Sequence, residues 1–362
     1  MIPRVTSLSI ASFVLVNMLI VIPANAVADL PVDRDALLKL KGLLPILPGF
    51  PFRSPSRSVN PPTPTPTLNS LDQRWGSGFG KCGSGLCCSE YGYCGYTSDH
   101  CGTSCQSQYG SCDDGTMANV NTGCSVPGTF AVTFDDGPGV LTSGLLDYLD
   151  YERVKATFFM NGLNWKNADT KNPILSIYQL SDVVKRAYES GHQICSHTWS
   201  HVDLITVNEY NVTYELSRLN HAFASILGKV PTCMRPPYGD TDTTSLKILK
   251  RMGYTVNNWN VDPVDWNPTN TIDQMFQEYV SQTGTTNPAT GKFIALNHDV
   301  WNTTADFRPV NYPKTIPLAQ RVIEYLKGRG WRLVNLAQCL GSAPFYRDPN
   351  PSDQVCGPSS CP

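Results

Sequence analysis

The sequence predicts an α/β fold: an incomplete (β/α) barrel of about seven parallel strands, preceded by a small disulfide-rich module. Three observations lead there. From Val126 onward, short apolar runs alternate with stretches of helical periodicity, the pattern of a parallel sheet with crossover helices. Cys82, Cys87, Cys88, Cys94, Cys101, Cys105 and Cys112 crowd a segment too short for an ordinary core, so disulfides must hold it. Asp135, His197, Arg235, Asp262 and His298 each fall at or just after the end of a different predicted strand, the end at which a parallel barrel gathers its chemistry.

In chain order, Arg4 precedes an apolar run from Leu8 to Ile22, and Ala24-Asn25-Ala26 is a small-residue cleavage pattern. Residues 1–26 therefore read as a signal peptide and the chain as secreted, to the extracellular space or the cell wall. A membrane anchor needs roughly 20 apolar residues. This run is shorter and is broken by Ser9, Ser12 and Asn17, and no second span follows, so no membrane span is expected after signal removal. Thirteen cysteines fit an oxidising compartment. Residues 27–70 form a Pro-rich linker or pro-segment ending in Pro61-Pro62-Thr63-Pro64-Thr65-Pro66, which favours an extended chain. The cysteine module spans 71–112, the α/β domain 113–345 and a tail 346–362.

Strands are expected at 129–134, 156–160, 193–196, 232–235, 255–261, 293–297 and 332–336. Helices are expected near 141–150, 180–190, 208–228, 243–252, 271–282 and 316–328. Cys124 and Cys339 lie near the two ends of the α/β domain, where first and last barrel strands meet, and are expected to pair. Cys356 and Cys361 can close a small tail loop, whereas Cys195 and Cys233 fit a bridge or two buried thiols equally well. Sequons at Asn211 and Asn302 can carry glycans.

The charge balance, Lys+Arg 28 against Asp+Glu 30, gives no reason to expect nucleic acid, and an uncharged, hydrogen-bonding substrate fits better. In a regular strand Asp135 and Asp136 would point to opposite faces, but Gly137-Pro138 turns the backbone and lets both address one centre. A divalent metal on Asp136, His197 and His201 relieves the repulsion of the two carboxylates; the histidines, spaced i and i+4, are expected on one side of a helical turn. Asp135, left unligated, can take a proton from an attacking water. In the small module, Ser89, Tyr91, Tyr93 and His100 place rings beside a hydroxyl, a surface suited to stacking on sugars.

The run Leu86-Cys87-Cys88-Ser89-Glu90-Tyr91-Gly92-Tyr93-Cys94-Gly95, with Cys101, Cys105-Gln106 and Cys112, resembles the hevein-type chitin-binding module. The resemblance implies that Ser89, Tyr91, Tyr93 and His100 contact N-acetylglucosamine and that Cys82, Cys94, Cys87, Cys101, Cys105 and Cys112 form disulfides. Trp75-Gly76 stands where that family has cysteine-glycine, so the resemblance assigns no pairing to Cys88.

Residues 124–345 resemble the family 4 carbohydrate esterases, the polysaccharide deacetylase fold, through five motifs: Thr133 to Pro138, His197 to His201, Arg235-Pro236-Pro237-Tyr238, Asp262-Pro263-Val264-Asp265-Trp266, and Ile294 to His298. By this resemblance Asp135 is the general base, oriented by Arg235, and Asp136, His197 and His201 hold the metal, zinc with cobalt as the alternative. The Tyr238 backbone N–H stabilises the oxyanion, Trp266 and Leu296 line the acetyl pocket, and His298 is the general acid, kept protonated by Asp262. The implied activity is chitin deacetylation by a monomer acting on chitin or its oligomers. A deacetylase of peptidoglycan or acetylxylan, and a catalytically silent chitin-binding protein, are the alternatives.

Overall fold

The computed structural model describes residues 80–83, 85–139, 141–163, 175–299, 314–350 and 353. The signal peptide, the Pro-rich segment, Trp75, Asn302, Cys356 and Cys361 lie outside the described residues.

The module is held covalently, as its size requires. Strand β1 (Cys87–Cys88) pairs antiparallel with β2 (Cys94–Gly95), and a single helical turn, α1 (Ser98–Cys101), follows. Disulfides join Cys82 to Cys94, Cys87 to Cys101 and Cys105 to Cys112. Cys88 is buried, its sulfur accepts from Gln106 Nε2 at 3.8 Å, and burial pushes its thiol pKa up. The module rests on the larger domain, where Arg251 Nε donates to the Gly85 carbonyl at 2.9 Å and the rings of Tyr96 and Tyr210 lie 5.1 Å apart.

The larger domain contains β3 (Val120–Asn121), β4 (Thr129–Asp135), β5 (Thr157–Met160), β6 (Gln193–Ser196), β7 (Val230–Pro231), β8 (Cys233–Met234), β9 (Thr255–Asn257), β10 (Lys292–Ala295), β11 (Arg332–Val334) and β12 (Tyr346–Arg347). Its helices are α2 (Thr142–Tyr151), α3 (Ser181–Glu189), α4 (Glu209–Leu227), α5 (Thr243–Arg251), α6 (Ile272–Thr283), α7 (Thr315–Gly328) and α8 (Leu336–Leu340). The main sheet runs β10-β4-β5-β6-β8-β9-β3, with β11 also on β4, and every pairing in it is parallel. All seven strands expected from the apolar runs are present, and β3 adds an eighth that the sequence did not signal.

The barrel is incomplete between β3, on the outer edge of β9, and β10. The strand expected over 255–261 stops at Asn257, and Val261 returns only as a lone bridge to Ala295. Strand β4 is central and buried at all seven positions, because neighbours flank both edges and helices cover its outer face. Its Phe130 and Phe134 pack with Leu145, Phe158, Val322 and Trp331 in the main core. Each such fully buried ring contributes about 1.5–3 kcal/mol.

Helix α4 starts where the Asn208 side chain accepts from Asn211 N and stops at Gly228, whose φ of 63° suits the left-handed terminus. Cys124 and Cys339 pair across a separation of 215 residues and tie the two ends of the domain together. Cys195 and Cys233 form a bridge between β6 and β8, deciding between the two readings the sequence left open. No helix among the described residues is long and apolar enough to cross a membrane.

Candidate active site and metal centre

Strand β4 ends at Asp135, and Asp136 leaves the strand with φ 75°. That left-handed turn breaks the alternation of the strand, so both buried carboxylates face the same centre. Asp135 Oδ1 accepts from Arg235 Nη1 at 2.7 Å. The same guanidinium donates to Thr133 Oγ1 at 2.8 Å and to the Asn257 and Asn258 carbonyls at 2.9 and 3.1 Å, and lies 4.0 Å over the Phe159 ring. Arg235 is fully buried, which lowers its pKa, while Asp135 favours its charged form. A charge in such a place is tolerable only with this complete a set of partners.

His197 Nδ1–H donates to the Arg235 carbonyl at 2.7 Å, which leaves Nε2 to face the carboxylates. That Nε2 lies 3.5 Å from Asp136 Oδ1 and 3.9 Å from Asp135 Oδ2, and His201 Nε2 lies 3.1 Å from Asp136 Oδ1. One oxygen and two imidazole nitrogens thus fall within 4.8 Å of one another in a buried pocket. Burial alone would raise the Asp136 pKa, but His201 and His197 hold it well below the usual carboxylate range, so the ligand oxygen is ionised. A single carboxylate and two histidines form a donor set suited to a divalent metal with coordination positions left for water and substrate.

The histidine pair is not on a helical turn, contrary to expectation. Residues 197–201 form a loop in which Thr198 (φ 68°) and His201 (φ 59°) are left-handed, and this reversal brings the two rings within 5.0 Å. Asn161 Nδ2 fastens the start of the loop by donating to the carbonyls of His197 and Thr198. Among the described residues, Asp136, Thr198, His201, Tyr238 and Val264 are five of the six non-glycine residues with positive φ. Each costs of order 1–3 kcal/mol, so the surrounding hydrogen bonds must over-determine this region.

His298 follows β10 and is buried. Its partner is Asp265, not Asp262, which corrects the sequence expectation. His298 Nδ1 lies 2.7 Å from Asp265 Oδ1, and the His298 backbone N–H donates to Asp265 Oδ2 at 2.8 Å. The left-handed Val264 (φ 56°) turns the chain so that Asp265 faces inward, while Asp262 accepts from Val264 N at 2.7 Å and Trp266 Nε1 at 3.4 Å. Burial opposes a charge on His298, but Asp265 outweighs it and raises the pKa to about 9. Next in sequence, Asp299 is buried, accepts from Thr142 Oγ1 at 2.6 Å and has its pKa raised by burial to about 7.

Tyr238 (φ 63°) sits in the turn Pro237–Gly239, its ring 5.0 Å from that of His201, and the residue is 55% exposed. Trp266 is 43% exposed beside this cleft motif, and Leu296 is buried after β10, its N–H bonded to the Val261 carbonyl at 2.9 Å. In the module Tyr91 is 74% exposed and Tyr93 partly so. Ser89 is buried with its hydroxyl accepting from Tyr93 N at 3.1 Å, and His100 Nδ1 pairs with Thr97 Oγ1 at 2.8 Å. Asn211 is exposed in the first turn of α4.

Residues 122–257 match the polysaccharide deacetylase family, and residues 74–115 match the chitin recognition protein family. A chitin deacetylase of Pestalotiopsis sp is 42% identical over 228 residues, 63% of this chain and 68% of that protein. A chitin deacetylase of Colletotrichum lindemuthianum is 33% identical over 223 residues, 61% of this chain and 83% of that protein. The solved structure of the chitin deacetylase from that fungal pathogen superposes with a TM-score of 0.56 at 30% identity, covering 65% of this chain and 98% of the other. With its parallel barrel and the Asp136, His197 and His201 cluster at the strand ends, this chain belongs to the polysaccharide deacetylase family.

Proposed function

We propose that this chain hydrolyses the N-acetyl groups of N-acetylglucosamine residues in chitin, giving chitosan and acetate. The observation that carries the reading is the meeting, at one barrel end, of an Arg-held carboxylate, a buried Asp/His/His cluster and a histidine kept protonated by its own carboxylate. Chitin deacetylase relatives and the exposed tyrosine of the recognition module support this substrate.

Amide hydrolysis needs a base for the attacking water, donors for the oxyanion and an acid for the leaving nitrogen. Asp135 takes the proton from the water as its oxygen bonds to the acetyl carbon. Arg235 holds that carboxylate in orientation through the 2.7 Å bond. The Tyr238 backbone N–H meets the negative charge that develops on the carbonyl oxygen. His298 then gives its proton to nitrogen, the C–N bond breaks, and amine and acetate are released. Asp265 keeps His298 charged until that moment. Trp266 and Leu296 wall the acetyl methyl.

Asp136, His197 and His201 would hold a divalent metal, zinc first and cobalt as the alternative, which supplies Lewis-acid polarisation and a more acidic water. The module, through Tyr91 and Tyr93, holds the enzyme on an insoluble chain and raises the local substrate concentration. The disulfides and the recognition module support an extracellular site of action, with Asn211 available for glycosylation. Acetate release is measured on chitin oligomers, peptidoglycan and acetylxylan, with and without chelator. Release from the chitin oligomers that stops on chelation and returns with zinc is the expected result. Release from xylan alone would overturn the substrate, and no release from any of the three would favour a silent binding protein.

A further inference from the structure

The loop that carries both metal-ligating histidines is fastened at two points. Asn161 and the Arg235 carbonyl fix its His197 end. At its His201 end the contact comes from α4, where Glu215 Oε2 accepts from Ser200 N and Glu215 Oε1 accepts from Ser200 Oγ, both at 2.7 Å. Glu215 is buried, and one turn further along the helix the Arg218 guanidinium lies 4.2 Å over the Trp199 ring. Helix α4 therefore grips both residues immediately before His201.

We propose that Glu215 is a positioning residue for the metal centre. His201 is left-handed at φ 59°, a conformation that a β-carbon disfavours, and in this backbone state its Nε2 lies 3.1 Å from Asp136 Oδ1. A carboxylate accepting two hydrogen bonds from the preceding residue, one of them from the backbone, fixes the plane from which His201 departs. Glu215 touches neither substrate nor reacting atoms, so its effect reaches the chemistry through metal affinity. The assignment rests on the metal-dependent reading above.

The test is zinc affinity of the full chain, stripped of metal and titrated in competition with a chromophoric chelator, together with the visible spectrum after cobalt loading. Circular dichroism checks that each variant is folded. Glu215→Ala weakens zinc binding 10- to 100-fold, the range found when a group supporting a ligand is lost, and alters the cobalt spectrum. Glu215→Gln, whose amide oxygen can still accept from Ser200 N, recovers part of that loss. Ser200→Ala, which keeps the backbone bond, weakens binding a few-fold. A purely structural brace would lower thermal stability without moving zinc affinity.

Folded Glu215→Ala with zinc affinity within about twofold of the parent overturns the proposal. If that variant does not fold, the same result for both Glu215→Gln and Ser200→Ala overturns it. A parent protein that takes up no zinc defeats the metal reading and this inference with it, whereas a parent that binds while the variants bind equally defeats only the role of Glu215.

Discussion

Replacing Asp265 by Asn keeps the shape of the His298 partner and removes its charge. In the folded protein His298 has its pKa raised from 6.5 to about 9, against the effect of its own burial. That difference of about 2.5 units corresponds to roughly 3 kcal/mol in favour of the charged form. Without the Asp265 carboxylate, burial still opposes the charge while Asp136 and Asp135 still favour it, and the pKa falls from about 9 toward the ordinary 6.5. At pH 8 the protonated fraction then drops from about 90% toward the roughly 3% of an ordinary histidine, a loss of up to about 30-fold in the general acid. At pH 5.5 both forms remain mostly protonated, and little is lost on this account.

The assay is the pH profile of kcat/KM on a soluble chitin oligomer. The alkaline limb of the parent falls near pH 9, and that of Asp265→Asn moves from there toward pH 6.5. Asp262→Asn moves the limb much less, because Asp262 bonds Val264 N and Trp266 Nε1 and reaches His298 only through its charge. A pH-independent loss in Asp265→Asn, or a limb that moves with Asp262 instead, would refute the pairing. The same shift carries a stability signature. For a raised histidine pKa the stabilisation is complete below pH 6.5 and fades as pH rises through 9.

Asp135→Asn lowers kcat by about 10²–10⁴-fold, the usual weight of a general base, while zinc uptake measured by metal analysis persists because Asp135 is not a ligand. His192 is buried with its Nδ1 accepting from Ala156 N, and burial lowers its pKa to about 4. A depressed histidine pKa stabilises fully above pH 6.5 and stops doing so as pH falls through 4, so denaturant titrations of His192→Asn show an acid-induced loss smaller by on the order of 3 kcal/mol. Replacing Cys195 and Cys233 by Ser opens a link across 38 residues and lowers stability by about 4 kcal/mol in non-reducing urea titrations, and an unchanged midpoint would show that this bridge does not constrain the unfolded chain.

The barrel was legible because its strands are short apolar runs with strong punctuation between them. Thr129 to Phe134 and Gln193 to Ser196 are buried on both faces, so hydrophobicity alone marks them. Strand β3 was not, since Val120–Asn121 is two residues long with no apolar run. The reactive side chains were legible as residue types after strands, but not their partnerships. Asp262 and Asp265 occupy the same turn, and the choice between them depends on the backbone of Val264. The spacing of His197 and His201 matched a helical turn, whereas a loop with two left-handed residues delivers the same convergence. Glu215 lies 15 residues from Ser200, and its contact follows from the docking of α4. The Cys195–Cys233 bridge required the register that sets Ser196 beside Met234, which only the folded sheet supplies.

The central claim is that one divalent ion is held by the Asp136 carboxylate and the Nε2 atoms of His197 and His201. Anomalous diffraction at the zinc edge, from crystals of zinc-loaded protein, tests it most directly. A single strong peak touching those three atoms, beside the Arg235-bound carboxylate of Asp135, is the predicted result. A peak at another site, or zinc-soaked crystals with no peak between these side chains, would contradict it.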